Sequence, residues 1–213
     1  MRVVAVVQAR LGSTRFPAKV LADLGGRSVL EWVIRATSAA RLVDEVVVAT
    51  TTQSPDDAIV AEAARLGVAC VRGSEDDVLS RYVLALDRHP CDAVVRITSD
   101  CPLLDPELID IVVAAWRAQP HRDYVSTVVH RTLPHGLDVE IVRAEALRTV
   151  MAQADSYHRV HVTSGIYTRP GDFDVMGLVF SPDATDLRVT VDTVASVRRD
   201  HTVAELGIFS TPQ

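Results

Sequence analysis

The segment RVVAVVQARLGSTRFPAKVL (residues 2–21) runs from an apolar stretch into a cationic turn. The first part, RVVAVVQA (2–9), is rich in β-branched residues and does not alternate with polar ones, the pattern of a strand buried on both faces. Only seven residues separate Arg2 from Arg10, too few to span a membrane. The turn that follows holds Arg10, Arg15 and Lys19 and no acidic residue, in a chain of formal net charge −6. Lys19 is the single lysine among 22 basic residues. Where a sequence otherwise uses arginine, a lone ammonium points to a position that requires a compact charge.

Outward from that segment, strand and helix patterns alternate. SVLEWVIRATSAA (28–40) spaces Val29, Leu30, Val33, Ile34 and Thr37 as one helix face, and EVVVATT (45–51) reads as a second strand. SPDDAIVAEAARLG (54–67) predicts a helix capped by Ser54, with Pro55 at its first position and Gly67 at its end. VACVRG (68–73) is a third strand, SEDDVLSRYVLALDRH (74–89) a helix capped by Ser74, DAVVRITSD (92–100) a fourth strand, and DPELIDIVVAAWRAQ (105–119) a helix capped by Asp105. This succession predicts an α/β fold with a largely parallel sheet and helices on both faces.

Further on, DYVSTVV (123–129) and GLDVEIV (136–142) read as strands around RTLPH (131–135). Helices are expected over 143–155 and 156–170, late strands in FDVMGLVF (173–180) and LRVTVD (187–192), and a closing helix over 194–207. No linker interrupts the pattern, so residues 1–213 are expected to form one domain. At 48% hydrophobic residues, such a domain needs no disulfide or structural metal to hold its core. Cys70, Cys91 and Cys101 are odd in number and lack metal-ligand spacing, which suits thiols in a reducing cytoplasm. The acidic balance argues against nucleic acid as a partner, yet a small anion needs only a local cationic site.

Ligands of open α/β sheets bind beyond the carboxyl ends of the strands, where the 8–19 turn begins. Gly12, Ser13 and Thr14 offer backbone N–H groups and hydroxyls to phosphate oxygens, and Arg10, Arg15 and Lys19 offer charge. The same residues also fit a solvated basic loop. Neither G-x-x-x-x-G-K-[ST] nor G-x-G-x-x-G is present, which excludes a P-loop and disfavours a dinucleotide site. Asp100 and Asp192 end predicted strands on the same edge. Two carboxylates with phosphate oxygens make a Mg²⁺ environment, although Asp100 also suits a turn before Pro102, and Asp192 a helix cap.

QARLGSTRFPAKVL (8–21) resembles the opening signature of the CMP-sugar synthetases, among them the CMP-Kdo and CMP-sialate synthetases and especially the spore-coat-polysaccharide-type cytidylyltransferases. The resemblance continues in order through VVVATT…DD (46–57), RGSEDDVLSRY (72–82), VVRITSDCPLLDP (94–106), DYVST (123–127), PHGLDVEI (134–141), HVT (161–163) and LRVTVDT (187–193). It implies a three-layer α/β/α nucleotide-diphospho-sugar transferase fold, Rossmann-like, with a mixed, mostly parallel sheet. The implied activity is Mg²⁺-dependent transfer of CMP from CTP to a small acceptor, a sugar acid, with release of pyrophosphate. A cytoplasmic homodimer is implied as well, with 123–142 as a β insertion or dimer arm.

The resemblance also implies roles. Asp100 and Asp192 would bind the metal, and Arg10, Arg15, Lys19 and Asp100 would carry catalysis. Gln8, Ala9, Arg10, Leu11, Gly12, Ser13, Arg15 and Lys19 would surround the nucleotide together with Thr51, Arg72, Ser74, Asp77, Thr98 and Ser99. Asp138, Glu140, Arg159 and His161 would face the acceptor. Two positions depart from the family pattern: Ser99 replaces the glycine of G-D-x-P, and Val160 replaces the acid of R-E-H-V-T. Other readings stay open. A phosphonate or polyol acceptor is one. A related glycosyltransferase is another, although its D-x-D motif has only DCP as counterpart here. A non-catalytic nucleotide binder is a third.

Overall fold

The structure, a computed structural model, describes residues 1–13 and 16–193. The apolar run of the opening segment becomes β1 (Val3–Gln8). It lies between two parallel neighbours, β2 (Glu45–Thr51) and β4 (Ala93–Thr98). β3 (Ala69–Gly73) extends the sheet beyond β2; β6 (Glu140–Arg143), β5 (Tyr124–Ser126) and β7 (Val175–Gly177) extend it beyond β4, in the order β3-β2-β1-β4-β6-β5-β7. Of these seven strands only β6 runs against its neighbours, so the sheet is mixed and mostly parallel.

Alternation within β1 divides the core. Val3, Ala5 and Val7 pack with α1 (Val29–Ala39), α2 (Asp57–Arg65) and α4 (Pro106–Ala118) on one face. Val4 and Val6 pack with α3 (Val78–Arg88) and α5 (Ala144–Gln153) on the other. Helices on both faces explain why strand residues such as Val47 and Val48 are equally buried, and why these strands read as continuous apolar runs.

The chain leaves β1 toward one edge through β2 and β3, then returns to place β4 on the opposite side of β1. That reversal opens a crevice past Gln8 and Thr98, which are register partners at the two strand ends.

Several expected elements differ. Ser28 caps α1, accepting from the Glu31 amide at 3.0 Å, and Asp105 caps α4. Ser54, however, lies in a short 3-10 turn, and α2 starts only at Asp57. α3 starts at Val78, because Asp77 rather than Ser74 accepts from the Ser80 amide, at 2.9 Å. The expected 156–170 helix is split into α6 (Ser156–His161) and α7 (Ser164–Tyr167). Val162 between them adopts a left-handed φ of 48°, strained for a β-branched residue, and its side chain is fully buried. β6 begins at Glu140 instead of Gly136, and residues 123–142 supply β5 and β6 to the main sheet.

LRVTVD forms no strand. It makes one bridge, between His135 and Arg188, and the Val191 amide donates to the Asp100 carbonyl at 2.8 Å. The expected closing helix, 194–207, lies outside the described residues. Among the described residues no helix is long and apolar enough to cross a membrane.

Candidate active site at the ends of β1 and β4

Three groups far apart in sequence meet at the crevice. The Lys19 ammonium donates to Asp100 Oδ2 at 2.7 Å and to Asp192 Oδ1 at 3.2 Å. Local backbone geometry brings each one there. Lys19 opens a 3-10 turn, Lys19–Leu21, directly after Ala18, which takes a left-handed φ of 56°. Asp100 follows the end of β4. The amide-to-carbonyl bond from Val191 to Asp100 ties the 187–193 segment to that same loop.

Arg188 and Thr190 also donate to Asp192, the threonine hydroxyl at 2.9 Å. Burial pushes the Asp192 pKa up, but the hydrogen bonds from Arg188, Thr190 and Lys19 outweigh it and hold the group at about 2. Two carboxylates that converge on one small cation offer the oxygen ligands that suit a hard divalent ion. Among the described residues no set of three His, Cys, Asp or Glu side chains forms a metal cage. A divalent ion here would therefore complete its shell with water or substrate oxygens.

The turn after β1 is braced from below. The Leu11 amide donates to Asp56 Oδ1 at 2.8 Å, and the Ser13 amide to the Leu11 carbonyl at 2.8 Å. Arg10 reaches Glu75 at 3.4 Å, an exposed and long contact. A Cβ on Gly12 would lie 3.0 Å from the same Glu75 carboxylate, so this glycine permits the close approach. Thr14 and Arg15 lie outside the described residues. Ala9 is buried, and Gln8 accepts from the Tyr82 hydroxyl at 3.0 Å. The Ser99 amide donates to the Gln8 carbonyl at 3.2 Å, locking the exits of β1 and β4 together. The Thr98 hydroxyl meets the Cys101 thiol at 3.2 Å, and burial, with Asp100 close by, pushes that thiol's pKa up.

The residues expected around the base are held by partners of their own. Thr51 donates its hydroxyl to Asp56. Arg72 donates to the Thr51 carbonyl at 2.9 Å and the Gln53 carbonyl at 3.0 Å, and pairs with Asp57 at 2.6 Å. Ser74 accepts from the Asp77 amide at 3.1 Å, and Asp77 pairs with Arg159. Arg159 was expected beside the acceptor, but the structure sets it against α3, its guanidinium also 3.8 Å from the Met151 sulfur.

The other residues expected on the acceptor side, Asp138, Glu140 and His161, line a cavity of about 430 Å³ beyond β4. Asp138 is forked by Arg131 at 2.5 and 3.0 Å. Glu140 is buried and bonded to Arg96, Tyr124 and Thr163. Burial works against the Arg96 charge, but Glu140 outweighs it and raises its pKa. Arg96, Arg131, Thr163 and Tyr167 also line this cavity and were not singled out from sequence. Arg96 alone left a signal, a charge inside the apolar run AVVRIT.

A family model described as cytidylyltransferase matches residues 4–208. The spore coat polysaccharide biosynthesis protein SpsF of Bacillus subtilis is 33% identical over 199 residues, covering 88% of this chain and 80% of that protein. A 3-deoxy-manno-octulosonate cytidylyltransferase of Bdellovibrio bacteriovorus is 36% identical over 132 residues, covering 61% of this chain and 51% of its own length. Among solved structures, a cytidylyltransferase from Leptospira borgpetersenii superposes with a TM-score of 0.89 at 25% identity, covering 100% of this chain and 99% of that one.

Proposed function

The chain belongs to the cytidylyltransferase family, and from that premise we propose that it transfers CMP from CTP to an oxygen of a small acceptor, a sugar acid, in a Mg²⁺-dependent reaction that releases pyrophosphate. The observation that carries this reading is the meeting of Lys19, Asp100 and Asp192 at one point of the crevice. The acceptor oxygen attacks the α-phosphorus, the bond to the β-phosphate breaks, and pyrophosphate leaves. Asp100 and Asp192 would hold the metal, which when bound neutralises charge on the phosphates. Lys19, Arg10 and Arg15 offset charge on the triphosphate and on the departing pyrophosphate. The exits of β1 and β4, locked through Ser99 and Gln8, keep these groups in register during the displacement. No covalent enzyme intermediate is required.

The acceptor lies, in this reading, in the cavity with Asp138, Glu140 and His161. A sugar acid is supported by the name of the Bdellovibrio relative, and a role in polysaccharide precursor synthesis by that of SpsF. A single catalytic domain over 1–213, working as a cytoplasmic homodimer, is part of the same reading.

The test is pyrophosphate release by the purified chain with each of four nucleoside triphosphates and a panel of acceptors, with Mg²⁺ and with chelator. The reading expects release with CTP and a sugar acid, abolished by chelation. Release with a neutral acceptor alone would overturn the sugar-acid assignment, and none with any pair would overturn transfer itself.

A further inference from the structure

The helix α6 is six residues long, and none of them is buried. A helix this short is not stable by itself in water, so its neighbours must hold it. Polar ties do so. Asp155 caps the helix by accepting from the His158 amide at 2.9 Å, and His158 Nδ1 meets the Ser164 hydroxyl at 2.8 Å. Both ties are local to residues 155–164. Arg159 makes a long-range one, donating to Asp77 across 82 positions of sequence.

Asp77 is a firm anchor. Its Oδ1 caps α3 through the Ser80 amide, and its Oδ2 accepts from Arg159. The helix α3 in turn buries Leu79, Tyr82, Ala85 and Leu86 in the core. Two positions apart on a helix, Arg159 and His161 point to nearly opposite sides. One can therefore pair with α3 while the other lines the cavity. The Tyr157 ring lies 4.3 Å from that of His161. Past His161, Val162 keeps its left-handed φ of 48°, and the Thr163 hydroxyl donates to Glu140 at 2.6 Å. A β-branched residue holds such a conformation only where its surroundings impose it. His161 thus lies between two fixed points, the Arg159–Asp77 pair and the Val162–Thr163 turn.

We propose that Arg159 is a positioning residue: paired with Asp77, it docks α6 on α3 and so sets His161 in the wall of the acceptor cavity. This rests on the transfer reading above, which places the acceptor there. Arg159 acts on the acceptor through His161 and does not touch it. Asp77→Asn separates the two jobs of the aspartate, because asparagine still caps a helix but no longer offers a charge to Arg159.

The experiment uses the full chain and the variants Arg159→Met, Arg159→Lys, Asp77→Asn and the double variant Arg159→Met/Asp77→Asn. It reads KM for the acceptor that gives the fastest pyrophosphate release in the panel above, kcat, and the His161 ring signals by NMR without any ligand, assigned through His161→Gln. The expected result is a rise in acceptor KM of about fivefold or more in Arg159→Met and in Asp77→Asn. The double variant is no worse than either single one, and Arg159→Lys, which keeps the charge, recovers most of the loss. The His161 signals move in both single variants and return toward wild type in Arg159→Lys. A normal acceptor KM in Asp77→Asn beside an impaired Arg159→Met would overturn the proposal, since Arg159 would then contact the acceptor itself. Unmoved His161 signals in both single variants would also overturn it, as would a fall in kcat alone that Arg159→Lys does not relieve. If no acceptor supports release in the wild type, the transfer reading fails. The His161 signals then decide the role of Arg159 separately: movement in both single variants, relieved in Arg159→Lys, supports it, and its absence opposes it.

Discussion

Lys19 and Asp100, 81 residues apart in the chain, meet at 2.7 Å, and the same ammonium reaches Asp192 at 3.2 Å. The lysine is the cation that bridges the two aspartates. It is also the one lysine of a chain with 21 arginines. A compact ammonium can stand between two carboxylates and still turn toward a phosphate, whereas a planar guanidinium favours a fixed fork.

Replacing either carboxylate removes half of this arrangement. Asp100→Asn and Asp192→Asn are each expected to lower kcat by about 100-fold, the scale of a lost preorganised electrostatic contact. Circular dichroism should be unchanged. Near-wild-type turnover in either variant would remove that residue from the mechanism.

Lys19→Met leaves Asp100 and Asp192 facing each other without their shared cation. Its melting temperature in chelator is expected to fall below wild type, and added Mg²⁺ to raise it more than in wild type. Its kcat and kcat/KM both fall, the pattern of a lost transition-state contact. A change in KM alone would make Lys19 a binding residue only.

The depressed pKa of Asp192 sets a pH window. A carboxyl that titrates at about 2 when folded and near 3.8 when unfolded contributes stability above 3.8, and that stability disappears as pH falls toward 2. The melting-temperature difference between wild type and Asp192→Asn is therefore expected to be full above pH 4 and to close toward pH 2. A constant difference across that range would contradict the assignment.

Glu140 neutralises Arg96 inside the sheet, at register partners of β4 and β6. Glu140→Ala leaves that guanidinium buried without a counter-charge and is expected to cost about 3–5 kcal/mol in urea unfolding. Adding Arg96→Met should recover part of the loss. No recovery would mean that the bonds from Tyr124 and Thr163 to Glu140 dominate.

Gly136 links fold to site. Its φ is 110°, and a Cβ there would lie 2.9 Å from the Val189 carbonyl carbon, in the segment that carries Asp192. Gly136→Ala is expected to destabilise by more than about 1 kcal/mol and to lower kcat through displacement of Asp192. Wild-type stability and rate would show that the 187–193 segment yields freely.

The parts of this structure that sequence discloses are those set by local chemistry. The Val-rich runs of β1 to β4 and the caps Ser28 and Asp105 are legible because burial and capping act over a few residues. Ser74 and Asp77 are both plausible caps, and only the length of the β3 exit loop decides between them. The break at Val162 has no Gly or Pro to announce it; it arises where Val162 and Ile166 both enter the same core. The crevice itself follows from strand order, so a turn after β1 and an aspartate after β4 can be placed near each other from sequence. The Arg96–Glu140 pair depends on an antiparallel register that no local pattern encodes.

The most direct test of the central claim is the binding of Mn²⁺ in the presence of CTP, followed by electron paramagnetic resonance, in wild type, Asp100→Asn and Asp192→Asn. The account predicts one CTP-dependent ion in wild type and at least tenfold weaker binding in each variant. Equal ion binding in all three proteins would contradict it.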